Sequence, residues 1–288
     1  MGGTSNIVKN GDIVMDAVRA ADHDRYLSAL YAPADKRDAL LALYAFNAEI
    51  AGVRDRIHEP LPGEVRLQWW RDVIADDGDA ETGHPTADAL RATIAAHRLP
   101  KAAFDNMLEA RIFDLYDDPM PSRTDLEGYC GETAAALIQL AAMVLDPLAA
   151  QGFAELAGRA GCAQAITGLL LLLPLHRRRG QCFVPADILA AAGTTPEEFV
   201  KGEGGAAAER AVVAMIALAR EHLNAFEKGA PALPAALRPA FLPLALIRAY
   251  LDKMEKAGRS PLNATARLST LCRHWLLLRH AMRGWTPL

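Results

Sequence analysis

The sequence of this 288-residue chain predicts an all-α fold. Apolar residues recur at three- and four-residue spacing along most of the chain, whereas the alternating β-branched runs typical of strands are scarce. Hydrophobic residues make up 51% of the sequence, which is enough for a sizeable core. About ten helices follow from this pattern, and they predict one helical domain over residues 13–288 after a flexible N-terminus of residues 1–12.

The helices of the first half are delimited by prolines and polar caps. Pro33 and Pro60 bracket residues 34–57, which contain no proline and predict one uninterrupted helix. Thr86 and Thr124 are suitable N-caps for two later helices. The helices predicted in this half cover residues 34–57, 63–77, 86–98, 100–116 and 123–145.

In the second half, a helix is predicted to start after Pro147 and to end near Pro174, because an internal proline removes a backbone donor and clashes with the preceding turn. The residues from His176 to Arg179 should then form a loop. Thr195 or Thr194 caps a short helix. Three amphipathic helices complete the chain, over residues 206–226, 234–256 and 265–282.

Composition narrows the class of protein. The net charge of -4 and the pI of about 6.1 argue against a general nucleic-acid binder, which is usually basic. The four cysteines are widely spaced, as expected of reduced thiols in a cytoplasmic protein. The longest apolar run, residues 169–175, is too short to span a bilayer. We therefore expect a cytoplasmic protein, at most peripheral to a membrane.

Five stretches, in this order and at this spacing, resemble the squalene/phytoene synthase family. They are ADKRDALLALYAFN, LQWWRD, YCGETAAALIQLAAMVLD, GCAQAITG and RRGQCFVPADIL. The resemblance runs from about Asp22 to the C-terminal helices. It implies the isoprenoid synthase fold, with helices around a central apolar cavity. It also implies a chemistry that joins two prenyl diphosphates head to head, with Mg²⁺ held by carboxylates on two facing helices.

The acids that would bind Mg²⁺ are largely replaced. In the first family motif, the three acid positions fall on Ala51, Gly52 and Asp55, so only one carboxylate is kept. In the second, the two acid positions fall on Leu172 and His176. Leucine cannot bind a metal, and histidine is a poor ligand for Mg²⁺. No catalytic set is therefore intact, and neither a metal site nor a resident cofactor is expected.

Other residues are candidates for binding. Arg177, Arg178 and Arg179 predict an anion site for a diphosphate, a phospholipid headgroup or an acidic partner surface, with a solvated loop as the alternative. Tyr129 falls where the family lines its cavity. Asp55 is open to two interpretations, a salt bridge or a residual metal role.

Three shorter stretches indicate a narrower resemblance. LYAFNAEIAGVRD, RLQWW and CFVPADI are similar to a branch of the family that assists assembly of mitochondrial respiratory complex I. The resemblance implies a non-catalytic bacterial relative, peripheral to the inner membrane, that contacts an assembly intermediate, an anionic membrane surface, or a lipid or isoprenoid ligand. Two alternatives stay open: an active prenyl transferase with an altered Mg²⁺ site, and a carrier of an isoprenoid or lipid.

Overall fold

The computed structural model describes the backbone of residues 3–78, 80–256 and 260–285, and the side chains from residue 11 onward. Every regular element within these ranges is a helix, as the sequence predicts. The first nine α-helices are α1 Gly3–Ala21, α2 His23–Ala29, α3 Ala34–Ala51, α4 Val53–Arg56, α5 Pro60–Ala75, α6 Pro85–His97, α7 Lys101–Ile112, α8 Arg123–Cys130 and α9 Ala136–Leu145.

The later helices include two long ones, α11 and α15, among shorter ones. They are α10 Pro147–Gln151, α11 Ala154–Leu171, α12 Leu173–Arg178, α13 Ala186–Ala192, α14 Pro196–Lys201, α15 Gly205–Gly229, α16 Arg238–Phe241, α17 Ile247–Met254 and α18 Thr270–Arg283. A π-helical segment, Gly131–Ala135, joins α8 to α9. Four 3₁₀ turns are Phe113–Leu115, Ala230–Ala232, Ala235–Leu237 and Leu242–Leu246.

The domain predicted over residues 13–288 divides into two compact units, each built from three separate stretches of chain. Unit 1 comprises Met1–Tyr116, Ala136–Ala154 and Pro234–Leu242. Unit 2 comprises Asp117–Ala135, Glu155–Leu233 and Pro243–Leu288. The boundary predicted after residue 12 falls inside α1, whose later turns bury Val14 and Val18.

The core of unit 1 is centred on a chain of aromatic rings. Phe46 of α3 makes edge contacts with Trp70 of α5 at 5.1 Å and with Phe104 of α7 at 5.6 Å between ring centroids. All three side chains are fully buried. Such offset and edge arrangements are the favoured ones for aromatic pairs, so these rings fix α5 and α7 against α3.

The core of unit 2 contains one very close helix contact. A Cβ added at Gly161 of α11 would come closer than 3.0 Å to the backbone of Ala135 in the π-helical segment. Only glycine allows that approach. The long helix α15 contributes an apolar face to the same unit, including Met215, Leu223 and Phe226.

Within the described residues, one helical stretch, residues 123–145, has the length and composition needed to cross a membrane. Just over half, 56%, of an apolar 18-residue segment within this stretch is buried inside the protein.

Several predicted helices are interrupted. The stretch expected to be one helix over residues 234–256 is divided among two 3₁₀ turns, α16 and α17, and the helix expected after Pro147 is divided between α10 and α11. The helix expected over 34–57 breaks at Gly52, so α3 ends at Ala51 and α4 is a separate turn. Pro174 does not end a helix but lies in the first turn of α12. Proline is tolerated there because the first N–H groups of a helix have no intrahelical partner.

The predicted caps are partly confirmed. Thr195 forms a capping box with Glu198 at the start of α14. The N-cap of α8 is Ser122, whose hydroxyl oxygen accepts from the backbone N–H of Asp125, and not Thr124. At α6 the N-cap is His84, and Thr86 is buried inside the first turn.

Candidate functional site

The first family motif lies at the break between α3 and α4, in unit 1. The Gly52 N–H donates to the Ala48 carbonyl at 3.0 Å, which closes the last turn of α3. Ala51 is half-buried, and Asp55 is exposed on α4. Neither a salt bridge nor a metal role is established for Asp55, and both stay predictions. Arg54 beside it donates to the His58 carbonyl at 2.7 Å.

An ion pair spans this break. Arg56 Nη2 donates to the Glu49 carboxylate at 2.8 Å and to the Glu49 carbonyl at 2.9 Å. A Cβ added at Gly52 would lie 3.7 Å from that same nitrogen. The guanidinium therefore lies beside a position where the family carries an acid. The Glu49 carboxylate is thus engaged by an arginine.

The second family motif lies at the break between α11 and α12, in unit 2. Leu172 is the residue between the two helices and is 48% exposed. His176 is buried, and its ring lies 4.7 Å from the Phe183 ring. An apolar side chain and a buried imidazole provide no carboxylate for Mg²⁺, so the residues at these positions do not fit that ion.

The arginines that follow do not form the predicted loop. His176, Arg177 and Arg178 are helical because Pro174 lies in the first turn of α12, where a proline is tolerated. Arg177 Nε donates to the Phe199 carbonyl at 3.0 Å, and Arg177 Nη1 donates to the Leu262 carbonyl at 3.2 Å.

Arg177 therefore differs from its two neighbours. Its guanidinium also lies over the Phe199 ring at 5.6 Å, and Phe199 is in the last turn of α14. Arg177 thus caps the C-terminus of α14, a favourable place for a cation. Arg178 and Arg179 have exposed side chains. Anion binding by these residues stays a prediction.

Tyr129 and His176 are brought together in unit 2 through a third ring. The Tyr129 ring lies 6.3 Å from the Phe183 ring, which also contacts His176. The Thr133 hydroxyl donates to the Tyr129 carbonyl at 2.6 Å, within the π-helical turn that follows. Such turns recur at functional sites because they disturb the regular helix.

A polar network in unit 2 was not predicted. Glu127 accepts from Arg123 at 2.8 Å and contacts His222 Nε2 at 3.1 Å, while Arg123 also donates to Glu221 at 2.8 Å. Burial acts to raise the pKa of Glu127, but hydrogen bonds from Arg123 and His222 outweigh it and lower that pKa. The spacing of four residues between Arg123 and Glu127 is a sequence signal for an ion pair on one helix face. His222 was the other signal, because it is a single imidazole in the apolar face of α15.

The acidic loop after α5 is neutralised by the chain itself. Lys101 pairs with Asp77 at 2.6 Å, and Arg91 pairs with Asp76 at 3.3 Å. A cavity of about 390 Å³ lies beneath this loop in unit 1. Across the described ranges, no group of three or more His, Cys, Asp or Glu residues is placed to hold a metal ion.

Comparison with known proteins places these observations in context. The family model described as squalene/phytoene synthase matches residues 18–272. Complex I assembly factor 6 of Mus musculus is 29% identical over 248 residues, which cover 84% of this chain and 73% of that protein. Phytoene synthase 1 of Arabidopsis thaliana is 26% identical over 236 residues, which cover 80% of this chain and 56% of that protein.

A solved structure supports the fold. A dehydrosqualene synthase in complex with a ligand superimposes with a TM-score of 0.82, covers 96% of each chain and is 18% identical. At that identity the likeness concerns the fold. The predicted isoprenoid synthase fold is therefore confirmed.

Proposed function

The chain belongs to the squalene/phytoene synthase family, and from that premise we propose that it is a non-catalytic member that assists the assembly of respiratory complex I. The similarity to complex I assembly factor 6 over 84% of the chain is the observation that carries the assembly role. The partner would be an assembly intermediate of that complex. We place the protein in the cytoplasm, peripheral to the inner membrane.

The loss of catalysis is supported at each motif separately. In the first, the Arg56 guanidinium lies beside Gly52, and Asp55 is the one acid kept at the family positions. In the second, Leu172 and His176 supply no carboxylate. Departure of a diphosphate needs a Lewis acid to neutralise the developing charge. A chain without a Mg²⁺ cage would leave that step unassisted.

Retained binding is the second part of the proposal. Arg177 donates to two carbonyl groups of the fold, whereas the Arg178 and Arg179 side chains are exposed to solvent, where an anionic headgroup or an acidic partner segment would meet them. Charge-assisted hydrogen bonds to such groups contribute about 1.5–3 kcal/mol each before the ordering costs. Tyr129 belongs to the ring cluster of the same unit, and it would contact a lipid or isoprenoid ligand.

Deletion of the gene in its native host tests the assembly role. We expect the isolated membranes to lose most of their NADH:ubiquinone oxidoreductase activity and assembled complex I, while succinate:ubiquinone oxidoreductase activity is unchanged. The intact gene should restore complex I. A deletion strain with a normal amount of assembled complex I would contradict the role.

Incubation with prenyl diphosphates tests the catalytic alternative. Purified protein with farnesyl or geranylgeranyl diphosphate and Mg²⁺ should release no diphosphate, under conditions in which an active dehydrosqualene synthase does. A head-to-head hydrocarbon product would establish the active enzyme instead. Mass spectrometry of apolar molecules that co-purify with the protein tests the carrier alternative, and a stoichiometric isoprenoid would favour it.

A further inference from the structure

The last described helix, α18, presents an apolar stripe to solvent. Leu271, Trp275, Leu278 and Met282 are 84%, 65%, 42% and 72% exposed. Their spacing of four, three and four residues places them on one narrow face of a helix. On the opposite side of α18, Leu277 is buried. Exposed apolar residues are ordinary when scattered, but a contiguous row of four marks an interaction surface.

The charged side chains of α18 itself have one sign. The 14 described residues of α18 include three arginines and two histidines and have no acidic residue. Arg279 and Arg283 lie on one flank of the stripe, and His274 lies on the other. The third arginine, Arg273, contacts the Tyr250 hydroxyl at 3.3 Å on the side of the helix that packs on the protein.

A second exposed apolar pair offers a contrast. Leu61 and Val65 of α5 are also four residues apart and strongly exposed. In α5, however, Glu64 and Asp72 balance two arginines, so that helix has no net charge. Exposure of apolar residues is therefore common to both helices, whereas α18 combines it with charged residues that are all basic.

We propose that α18 binds an anionic phospholipid bilayer, lying in the plane of the interface with its apolar stripe among the acyl chains. A helix with a polar, basic side and an apolar side containing tryptophan has the properties of an interfacial membrane helix. The arginines reach the headgroups while the tryptophan takes the boundary position that amphipathic rings favour. This inference rests on α18 alone and is independent of the proposed role in complex I assembly.

Sedimentation with lipid vesicles tests the inference on the whole protein. The vesicles contain 70% phosphatidylcholine and 30% phosphatidylglycerol, with pure phosphatidylcholine as the reference. We expect the unsubstituted protein to bind the anionic vesicles at least tenfold more tightly than the neutral ones, with weaker binding at high salt. The double variant L271S/W275S should lose at least tenfold in affinity, and the matched α5 variant L61S/V65S should bind as the unsubstituted protein does.

Fluorescence gives a second readout that needs no disruptive substitution. Trp275 is the one strongly exposed tryptophan in the described ranges, so lipids brominated on the acyl chains should quench it. The variant W275F should keep the affinity and lose that quenching. Equal binding by L271S/W275S and by L61S/V65S, with helical content intact, would overturn the proposal. A wild-type dimer that becomes monomeric in L271S/W275S and does not bind vesicles would instead assign the stripe to a second copy of the chain.

Discussion

The two helices that carry the family motifs have the same length and end in the same way, yet they are stabilised differently. Both α3 and α11 have 18 residues, and each is followed by a single intervening residue and a short helix. After α3, the break carries an exposed ion pair between Glu49 and Arg56. After α11, the break leads into a helix that buries His176 and directs Arg177 into the fold. Loss of the metal-binding acids is therefore compatible with a polar surface in one motif and with packing in the other.

The largest expected effect sharpens this comparison at α11. Substitution of Gly161 by alanine should lower the free energy of unfolding by about 3 kcal/mol, because overpacking against a backbone forces a helix to shift. The added methyl would meet the Ala135 backbone. The control is Gly158→Ala on the same helix, where nothing lies within 4 Å; it should be neutral or stabilise by up to about 1 kcal/mol.

Both variants can be compared by chemical denaturation followed by circular dichroism. Equal stability of the two alanine variants would show that α11 does not depend on the close approach at Gly161.

Truncation of Arg177, the arginine that hydrogen-bonds within the fold, is expected to have the next largest effect on stability. Arg177→Ala should destabilise the protein by about 2 kcal/mol, since it removes two charge-assisted hydrogen bonds to carbonyl groups. Arg178→Ala, one residue later and exposed, should change stability by no more than about 0.5 kcal/mol. Thermal unfolding of both proteins provides the measurement, and similar losses in the two would show that Arg177 has no special role.

The corresponding substitution in the first motif should lower the stability of the protein much less. Arg56→Ala removes an ion pair whose arginine side chain is 54% exposed, so we expect a loss below about 1 kcal/mol. A double-mutant cycle with Glu49→Ala measures the pair itself, at low and at high salt. A coupling that exceeds 2 kcal/mol, or that is unaffected by salt, would mean that the two motifs do not differ as described.

The smallest effect concerns His84, which lies in the same unit as the first motif. Burial lowers its pKa, the Glu49 charge raises it, and the Arg66 charge lowers it, with a net decrease. Because the folded protein then binds fewer protons than the unfolded chain, stability should fall as the pH drops below about 6.5. In Glu49→Gln the pKa of His84 should decrease further. NMR titration of the His84 ring checks both directions, and an increase in the Glu49→Gln variant would contradict the proximity of the two charges.

Sequence reasoning could predict the helices and the family because both depend on local pattern. The capping box of Thr195 and Glu198 is one example, since its two members are three residues apart. The error at Pro174 has a local cause of another kind. Helix α11 ends at Leu171, close to Pro174 as predicted, but a second helix follows where a loop was expected. Proline is compatible with the start of a helix and incompatible with its interior, so the residue alone cannot say whether a new helix begins there.

The parts of the site that were missed depend on residues far apart in the chain. Arg177 reaches Leu262, and Glu127 reaches His222, over separations that no spacing rule covers. The pairing of Glu49 with Arg56 is closer in sequence, but it requires the helix to break at Gly52. The sequence predicts α18 as an amphipathic helix. It does not predict that the apolar stripe is exposed, because that depends on which face of α18 packs on the protein.

The division of each unit into three stretches affects the order in which the chain can fold during synthesis. Unit 1 begins with the N-terminal helices, yet it is completed by Pro234–Leu242, which include the fully buried Phe241. During synthesis, the apolar surface of the first helices that this segment covers therefore stays exposed until residues 234–242 have left the ribosome. Exposed surface of that kind promotes aggregation and recruits chaperones. Stalled or shortened chains that end before residue 234 would lack this segment, and quality control should remove them.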